Sequence, residues 1–360
     1  MAAISESPRK RASTKPQLTS NKITLWVVAI LVIAFVVWRL AGTLAQAKYG
    51  PEVWILQIVN GSVQGAMYAL IALGYTMVYG ILLMINFAHG EIFMIGAMAG
   101  YFTLVGLDNA GMLQSSPALA VLITFVVGMA APLIAGIFLE RLAYRPLRRA
   151  PRLVPLISAI GASFFLQQAM RLLVGIRMKV YPNIEFLSGS WVINIAGREA
   201  RIQQLGVAII IVTILLMIGL YILVRRTKIG KAMRAVAEDK DTAALMGIDV
   251  NFVIMMTFAI GSALAGAAGV MWGLWYKQVT HTVGFIPGIK AFTAAVLGGI
   301  GNIPGAMLGG FFLGLVESLA PTALDLNTQL KDVIAFGLLV IVLIFRPSGL
   351  LGEVLTQKKA

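Results

Sequence analysis

The sequence has no cysteine and only two histidines, His89 and His281, which most of its 360 residues separate. The first absence excludes a disulfide framework and a cysteine metal site. The second leaves no histidine pair at metal-ligand spacing, so no metal centre is expected. Charge is scarce as well: charged residues make up 12 % of the chain, against about 25 % in ordinary soluble domains. Acidic residues are the scarcer sign, 15 against 29 Lys and Arg, for a net charge of +14. Such a balance can mark a nucleic-acid partner. Here the basic residues lie in short stretches between apolar runs, where topology signals are expected instead, and no nucleic acid is expected. Nucleotide and catalytic motifs are also missing. Gly230-Lys231 is followed by alanine and preceded by no P-loop pattern, and no Ser/His/Asp grouping appears. The chain is therefore expected not to be an enzyme and to bind no cofactor itself.

What the sequence does have is apolar length. Hydrophobic residues are 59 %, and an uncharged run extends from Val53 to Gly90, pauses at Glu91 and resumes to Leu107. A bilayer-spanning helix needs about 20 mostly apolar residues, so this stretch alone holds two. The expected fold is all-α: a polytopic transmembrane helical bundle of nine or ten membrane segments, some broken or half-length. Spans are expected near 54–77, 84–106, 118–139, 153–173, 203–224, 253–275, 303–320 and 331–346, with a short segment near 290–299.

Residues 1–22 are polar and basic and are expected to form a disordered cytoplasmic tail. Segment 23–47 is either an additional membrane helix or a signal-like segment ending in Ala45-Gln46-Ala47. The bundle itself covers 48–352, and 353–360 form a second cytoplasmic tail. The loop Glu140–Arg152 contains five arginines, and 225–251 contains Arg225, Arg226, Lys228, Lys231, Arg234 and Lys240. Two spans separate these loops, so both are placed in the cytoplasm and 175–202 outside. Trp191 and mixed charge in that outer segment suit an interfacial structure.

Small residues recur every fourth position at Gly261, Ala265, Gly269 and Gly273, at Gly61, Gly65 and Ala69, and at Gly301, Gly305 and Gly309. Helices in lipid associate through close packing, and these rows are expected to line contact faces. Two stretches do not suit a straight helix: Asn86–Glu91, and the run Gly298, Gly299, Ile300, Gly301, Asn302, Ile303, Pro304, Gly305. Irregular backbone at membrane depth survives only inside protein or beside a water-filled cavity. Asn60, Asn86, His89, Glu91, Gly298, Gly299, Gly301 and Pro304 are thus candidates for a translocation path or gating breaks. Corresponding breaks suggest two related halves, 54–174 and 203–346, with a pathway between them. His89 and Glu91 have a plainer reading, at a span end near the inner interface and satisfied by water or Asn86. Lys290 is expected to snorkel to an interface, Glu317 to be solvated near an outer end, and Arg171 to lie near an outer boundary.

The long cytoplasmic loop carries the partner signal. Residues 228–249 have helix-forming composition and a basic-to-acidic gradient. Two short helices with a turn near Glu238–Asp241 would make a rigid knob beneath the membrane.

These residues resemble a known family. Asn60–Gly80, Met84–Glu91, Glu140–Pro146, Ala237–Asp239 with Gly247-Ile248, and Lys290–Gly305 are similar, in order, to motifs of the LivH-type permease subunit of bacterial branched-chain amino acid ABC importers. The resemblance covers about residues 54–352. It implies a multi-pass protein of the bacterial inner membrane that moves leucine, isoleucine and valine, with urea or short amides as the alternative. It implies several partners: a LivM-like second permease, LivG-like and LivF-like ATPases that use the ATP, a periplasmic or tethered binding protein, and membrane lipid. Arg234, Glu238, Asp239, Ala243, Ala244 and Gly247 would correspond to the ATPase-coupling loop. One departure stands out. The common signature has Glu-Ala-Ala and three residues before glycine, whereas here Thr242-Ala-Ala is followed by two before Gly247. An ion-coupled secondary transporter, with His89 and Glu91 as the coupling pair, and a passive channel are the alternatives of a different class.

Overall fold

A computed structural model describes residues 34–352, apart from 44, 149, 152, 196 and 347. The tails 1–22 and 353–360 lie outside the described residues, as does much of segment 23–47. Among the described residues, eight helices are long and apolar enough to cross a membrane, and two apolar helices are shorter. The chain divides into two units. In the small unit, helix α1 (Ala34–Thr43) carries Arg39, which donates to the carbonyls of Leu324 and Asp325 at 2.8 and 2.6 Å. Lys48 pairs with Asp325 at 2.5 Å.

The large unit contains the remaining helices: α2 (Pro51–Leu82), α3 (His89–Asn109), the single turn α4 (Met112–Ser115), α5 (Pro117–Leu139), α6 (Leu153–Val174), α7 (Gln204–Arg226), α8 (Lys228–Glu238), α9 (Lys240–Leu245), α10 (Val250–Tyr276), α11 (Phe285–Gly298), α12 (Ile303–Ala323) and α13 (Lys331–Phe345). Four short strands complete it: β1 (Lys179–Val180), β2 (Ser190–Ile195), β3 (Arg198–Gln203) and β4 (Gln278–Val279). β2 and β3 form a hairpin with Trp191 opposite Ile202, and β1 pairs antiparallel with β4. The β1–β4 pair ties segment 175–202 to the end of α10, as expected if both lie outside.

Helix ends follow local chemistry. Pro51 opens α2, where its missing N–H would be unpaired anyway, and Glu52 in the first turn suits the positive end of the helix dipole. Asp249 caps α10 by accepting from the Phe252 N–H at 3.0 Å. α2 ends at Leu83, a left-handed residue with φ 55° and no glycine to announce it.

α2 and α10 form the buried centre. The most apolar windows of α2 and α10 are 89 % and 83 % buried, whereas those of α5, α6 and α7 are 22 % and that of α13 is 6 % buried. The outer helices thus turn wide apolar faces outward, as the bilayer requires. At the centre, backbones meet. A methyl group on Gly65 would reach within 2.7 Å of the Phe311 Cα, and one on Gly310 would collide with Ala69. Gly96, Gly128 and Gly266 meet in the same way. The rows at Gly61–Ala69 and Gly261–Gly273 do line contact faces. Gly301 departs from its expected row. It lies in the turn before α12 with φ 96° and open space around it.

The halves 54–174 and 203–346 pack closely against each other. α10 of the second packs against α2, α3 and α5 of the first.

Candidate functional site: a polar cavity and two helix breaks

The second break falls where expected, between α11 and α12. Gly298 lies on the Gly305 backbone, and Gly299 takes φ 104°. The segment after α13 seals the break. Leu350 and Leu351 N–H groups donate to the carbonyls of Leu297 and Gly298 at 2.7 and 3.0 Å, and the Asn302 side chain donates to Leu351 O at 2.9 Å. Pro304 is exposed in the first turn of α12.

The first break lies earlier than expected. The irregular stretch is 83–88, and His89 and Glu91 belong to the first turn of α3. His89 rests on Gly74, eight residues before the end of α2 and so about 12 Å along its axis at 1.5 Å per residue. α3 therefore starts beside the body of α2 rather than at its end. His89 and Glu91 are each 1 % exposed, so protein groups surround them. Asn86 accepts from Tyr144 Oη at 2.9 Å and from the Ala88 N–H at 3.1 Å, which holds the turn. His89 stacks edge-on against Tyr75, with ring centroids 4.8 Å apart. Glu91 Oε1 accepts from Gln167 at 2.6 Å and from Ser163 at 3.3 Å, both on α6.

The start of α11 meets the start of α3. A methyl on Gly284 would press on the Gly90 carbonyl and come within 3.0 Å of Glu91 Oε2. Two helix N-termini thus converge on one buried carboxylate, whose negative charge their dipoles favour.

Lys290 and Glu317 also differ from expectation. Lys290 does not snorkel and Glu317 is not solvated. Their side chains are 4 % and 1 % exposed and joined at 2.6 Å. Asp332 Oδ1 lies 2.6 Å from the same ammonium, and Lys331 is 3.7 Å from Glu317 Oε1. The Tyr68 ring centre is 5.9 Å from the Lys290 ammonium. Both outcomes share a physical reason: half-length α11 and its full-length neighbour α12 hold these groups inside protein, where a lone charge must find a counter-charge. Arg171 is exposed in the last turn of α6, as expected.

Glu317 borders a polar cavity of about 410 Å³. Gln57, Asn60 and Gln64 of α2 line it at helical spacing, together with Trp275, Ser318 and Lys331. Asn60 was a sequence candidate, whereas Gln57, Gln64, Lys290, Glu317 and Asp332 were not. One signal could have found the charges: a single lysine and a single glutamate in neighbouring uncharged segments need each other.

A second cavity of about 120 Å³ adjoins the Leu82 end of α2. Thr76 and Gly80 of α2, Met233 and Arg234 of α8, and Gly301 line it. α8 and α9 form the expected pair of short helices. Thr227 caps α8, and Asp239 caps α9 by accepting from the N–H groups of Asp241 and Thr242. Arg234 Nη1 donates to Val224 O at 3.1 Å, binding α8 to the end of α7. Ala243 is buried, Glu238 and Ala244 are exposed, and Gly247 turns the chain with φ 83°. Leu245 and Met246 stand out at 88 % and 79 % exposure. Hydrogen bonds from the Thr242 N–H, and then from its hydroxyl, hold the Asp239 carboxyl below the ordinary carboxylate range.

Known proteins give this architecture a family. Residues 57–343 match the family described as branched-chain amino acid transport system / permease component. The chain is 47 % identical over 311 residues to the Pseudomonas aeruginosa high-affinity branched-chain amino acid transport system permease protein BraD, covering 86 % of this chain and 99 % of that one. It is 45 % identical over 306 residues to the corresponding LivH protein of Escherichia coli K12, covering 85 % and 97 %. A probable branched-chain amino acid transport permease protein LivH of Methanocaldococcus jannaschii is 31 % identical over 268 residues, covering 70 % and 76 %. With eight candidate spans and a match along most of its length, this chain belongs to the family of permease components of branched-chain amino acid transport systems.

Proposed function

We propose that this chain is the membrane-spanning permease subunit of an ATP-driven importer of leucine, isoleucine and valine, set in the bacterial inner membrane. One observation carries this reading: 47 % identity reaching across 99 % of a high-affinity branched-chain amino acid permease. ATP is hydrolysed on separate subunits, a LivG-like and a LivF-like ATPase. A LivM-like permease completes the membrane part, and a binding protein delivers the solute.

The geometry supports a route for the power stroke. The exposed Leu245–Met246 tip offers apolar surface to an ATPase. Caps at Thr227, Asp239 and Asp249, with the bond from Arg234 to α7, make α7, α8, α9 and α10 a stiff lever. Met233 and Arg234 border the inner cavity beside Thr76, Gly80 and Gly301. Motion of the knob therefore bears on the end of α2 and on the turn before α12. Asn86, His89 and Glu91 act as packing and hydrogen-bonding groups at the first break rather than as an ion-coupling pair.

Reconstitution tests the reading. Proteoliposomes holding both permeases and both ATPases, supplied with loaded binding protein, should accumulate leucine only with ATP. Uptake by this chain alone, driven by an ion gradient or down the leucine gradient, would refute it. Four amide side chains, Gln57, Asn60, Gln64 and Gln203, border the outer cavity and would also suit urea or a short amide. Uptake of those solutes in place of leucine would favour that second reading.

A further inference from the structure

The polar cavity beside Glu317 is a built site with an unfilled acceptor. Glu317 Oε1 is engaged by Lys290 at 2.6 Å and approached by Lys331 at 3.7 Å. Its Oε2 is buried and accepts no hydrogen bond within 3.5 Å among the described residues, with the Tyr68 phenol beside the carboxylate. A buried carboxylate oxygen without a close donor is costly to leave so, and the Glu317 side chain borders a space of about 410 Å³, within the usual range for small-ligand pockets. Lys331 reaches the same space with a side chain 41 % exposed. A buried carboxylate and a partly exposed cation therefore border one space. The wider group, Lys290 and Lys331 against Glu317 and Asp332, is balanced at two charges of each sign. It would repel a net ion of neither sign and suits a molecule carrying both charges close together. Trp275 adds an apolar wall.

We propose that this cavity is a transit subsite for the zwitterionic head of an α-amino acid. The ammonium is received by the Glu317 carboxylate and the solute's carboxylate by Lys331. Gln57, Asn60 and Gln64 supply further hydrogen bonds, and the aliphatic side chain lies towards Trp275. Lys290 is the positioning residue that holds the Glu317 side chain in place. The inference rests on the import function proposed above and adds a place where the permease itself holds solute after the binding protein releases it. Glu317 and Lys331 thereby select for the charged head, whatever the side chain.

The test is the ratio of leucine moved to ATP hydrolysed in proteoliposomes of the complete complex with leucine-loaded binding protein. Glu317→Gln and Lys331→Ala should each lower this ratio at least tenfold, because the motor turns over while the solute is not held. Lys331→Arg should restore it to within about threefold. A purely structural charge group would lower transport and hydrolysis together, or alter only thermal stability, with the ratio unchanged; either result overturns the subsite. If Glu317→Gln prevents assembly, Lys331→Ala, at a half-exposed position, decides alone. Failure of the unsubstituted complex to take up leucine, isoleucine or valine overturns the import reading itself. Normal uptake with an unchanged ratio in the variants overturns the subsite alone.

Discussion

Glu91 and Glu317 are both almost wholly buried, and they are held by opposite means. Glu317 faces a cation, Lys290 at 2.6 Å, which Asp332 also contacts. Glu91 has no cation within ion-pair distance among the described residues; Gln167 and Ser163 donate to one oxygen, and the starts of α3 and α11 converge near the other. The first arrangement is strong and fragile. Both partners are desolvated, so removing one strands the other. The second spreads the same task over neutral donors and backbone dipoles, none of them indispensable. The difference matches location. Glu317 borders the polar cavity, where charge can act on a solute, whereas Glu91 fastens α6 to the first break.

The largest expected effect comes from breaking the ion pair. Lys290→Met leaves Glu317 without its nearest cation and should cost about 3–5 kcal/mol, read as a large drop in the melting temperature of the purified complex. Adding Glu317→Met should recover most of that loss, because a buried pair replaced by apolar groups of similar volume is often neutral. A double variant no more stable than Lys290→Met would mean that the pair does not carry the coupling assigned to it.

Glu91 should be more forgiving. Glu91→Gln keeps an oxygen for Gln167 and Ser163 but removes charge assistance, a loss of roughly 1.5–3 kcal/mol. Leucine uptake should stay ATP-dependent and insensitive to an imposed proton gradient. Loss of uptake with the fold and ATP hydrolysis intact would revive the ion-coupled reading and dissolve the contrast between the two glutamates. Among its donors, Gln167→Leu should weaken the attachment of α6 more than Ser163→Ala, since the bonds are 2.6 and 3.3 Å long. Hydrogen exchange across α6 would rank them.

Much of this was legible in the residues. Uncharged length gave the spans, and arginine-rich loops gave a common side for 140–152 and 225–251. The turn at Glu238–Asp241 was readable because Asp239 is a strong capping residue, and the second break because glycines and Pro304 stand together. The first break was misplaced by a few residues. It begins at Leu83, a left-handed leucine that no local signal marks. The Lys290–Glu317 pair was hidden for a different reason. A half-length helix sets how deep its residues lie, and depth depends on where its neighbours end, which periodicity does not contain. The cavity was hidden likewise: Gln57, Asn60 and Gln64 form a face on one helix, but α12 and α13 supply the other wall.

The smallest expected effect contrasts the membrane carboxylates with an exposed one. Asp239 caps α9 in water, and hydrogen bonds from Thr242 and Asp241 hold its carboxyl below the ordinary range. A depressed folded value means that its stabilising contribution is complete above the unfolded value of about 3.9 and disappears as pH falls through the folded one. Between pH 5 and 8 the cap should therefore be insensitive to pH. Asp239→Asn, which retains an acceptor oxygen, should leave hydrogen exchange across residues 240–245 nearly unchanged at neutral pH. Asp239→Ala should speed it and lessen the stimulation of transport by ATP, because a frayed α9 transmits less of the motor's displacement to α10. Equal exchange in all three proteins would mean that packing of Ala243 and Ile248, rather than the cap, keeps the knob stiff.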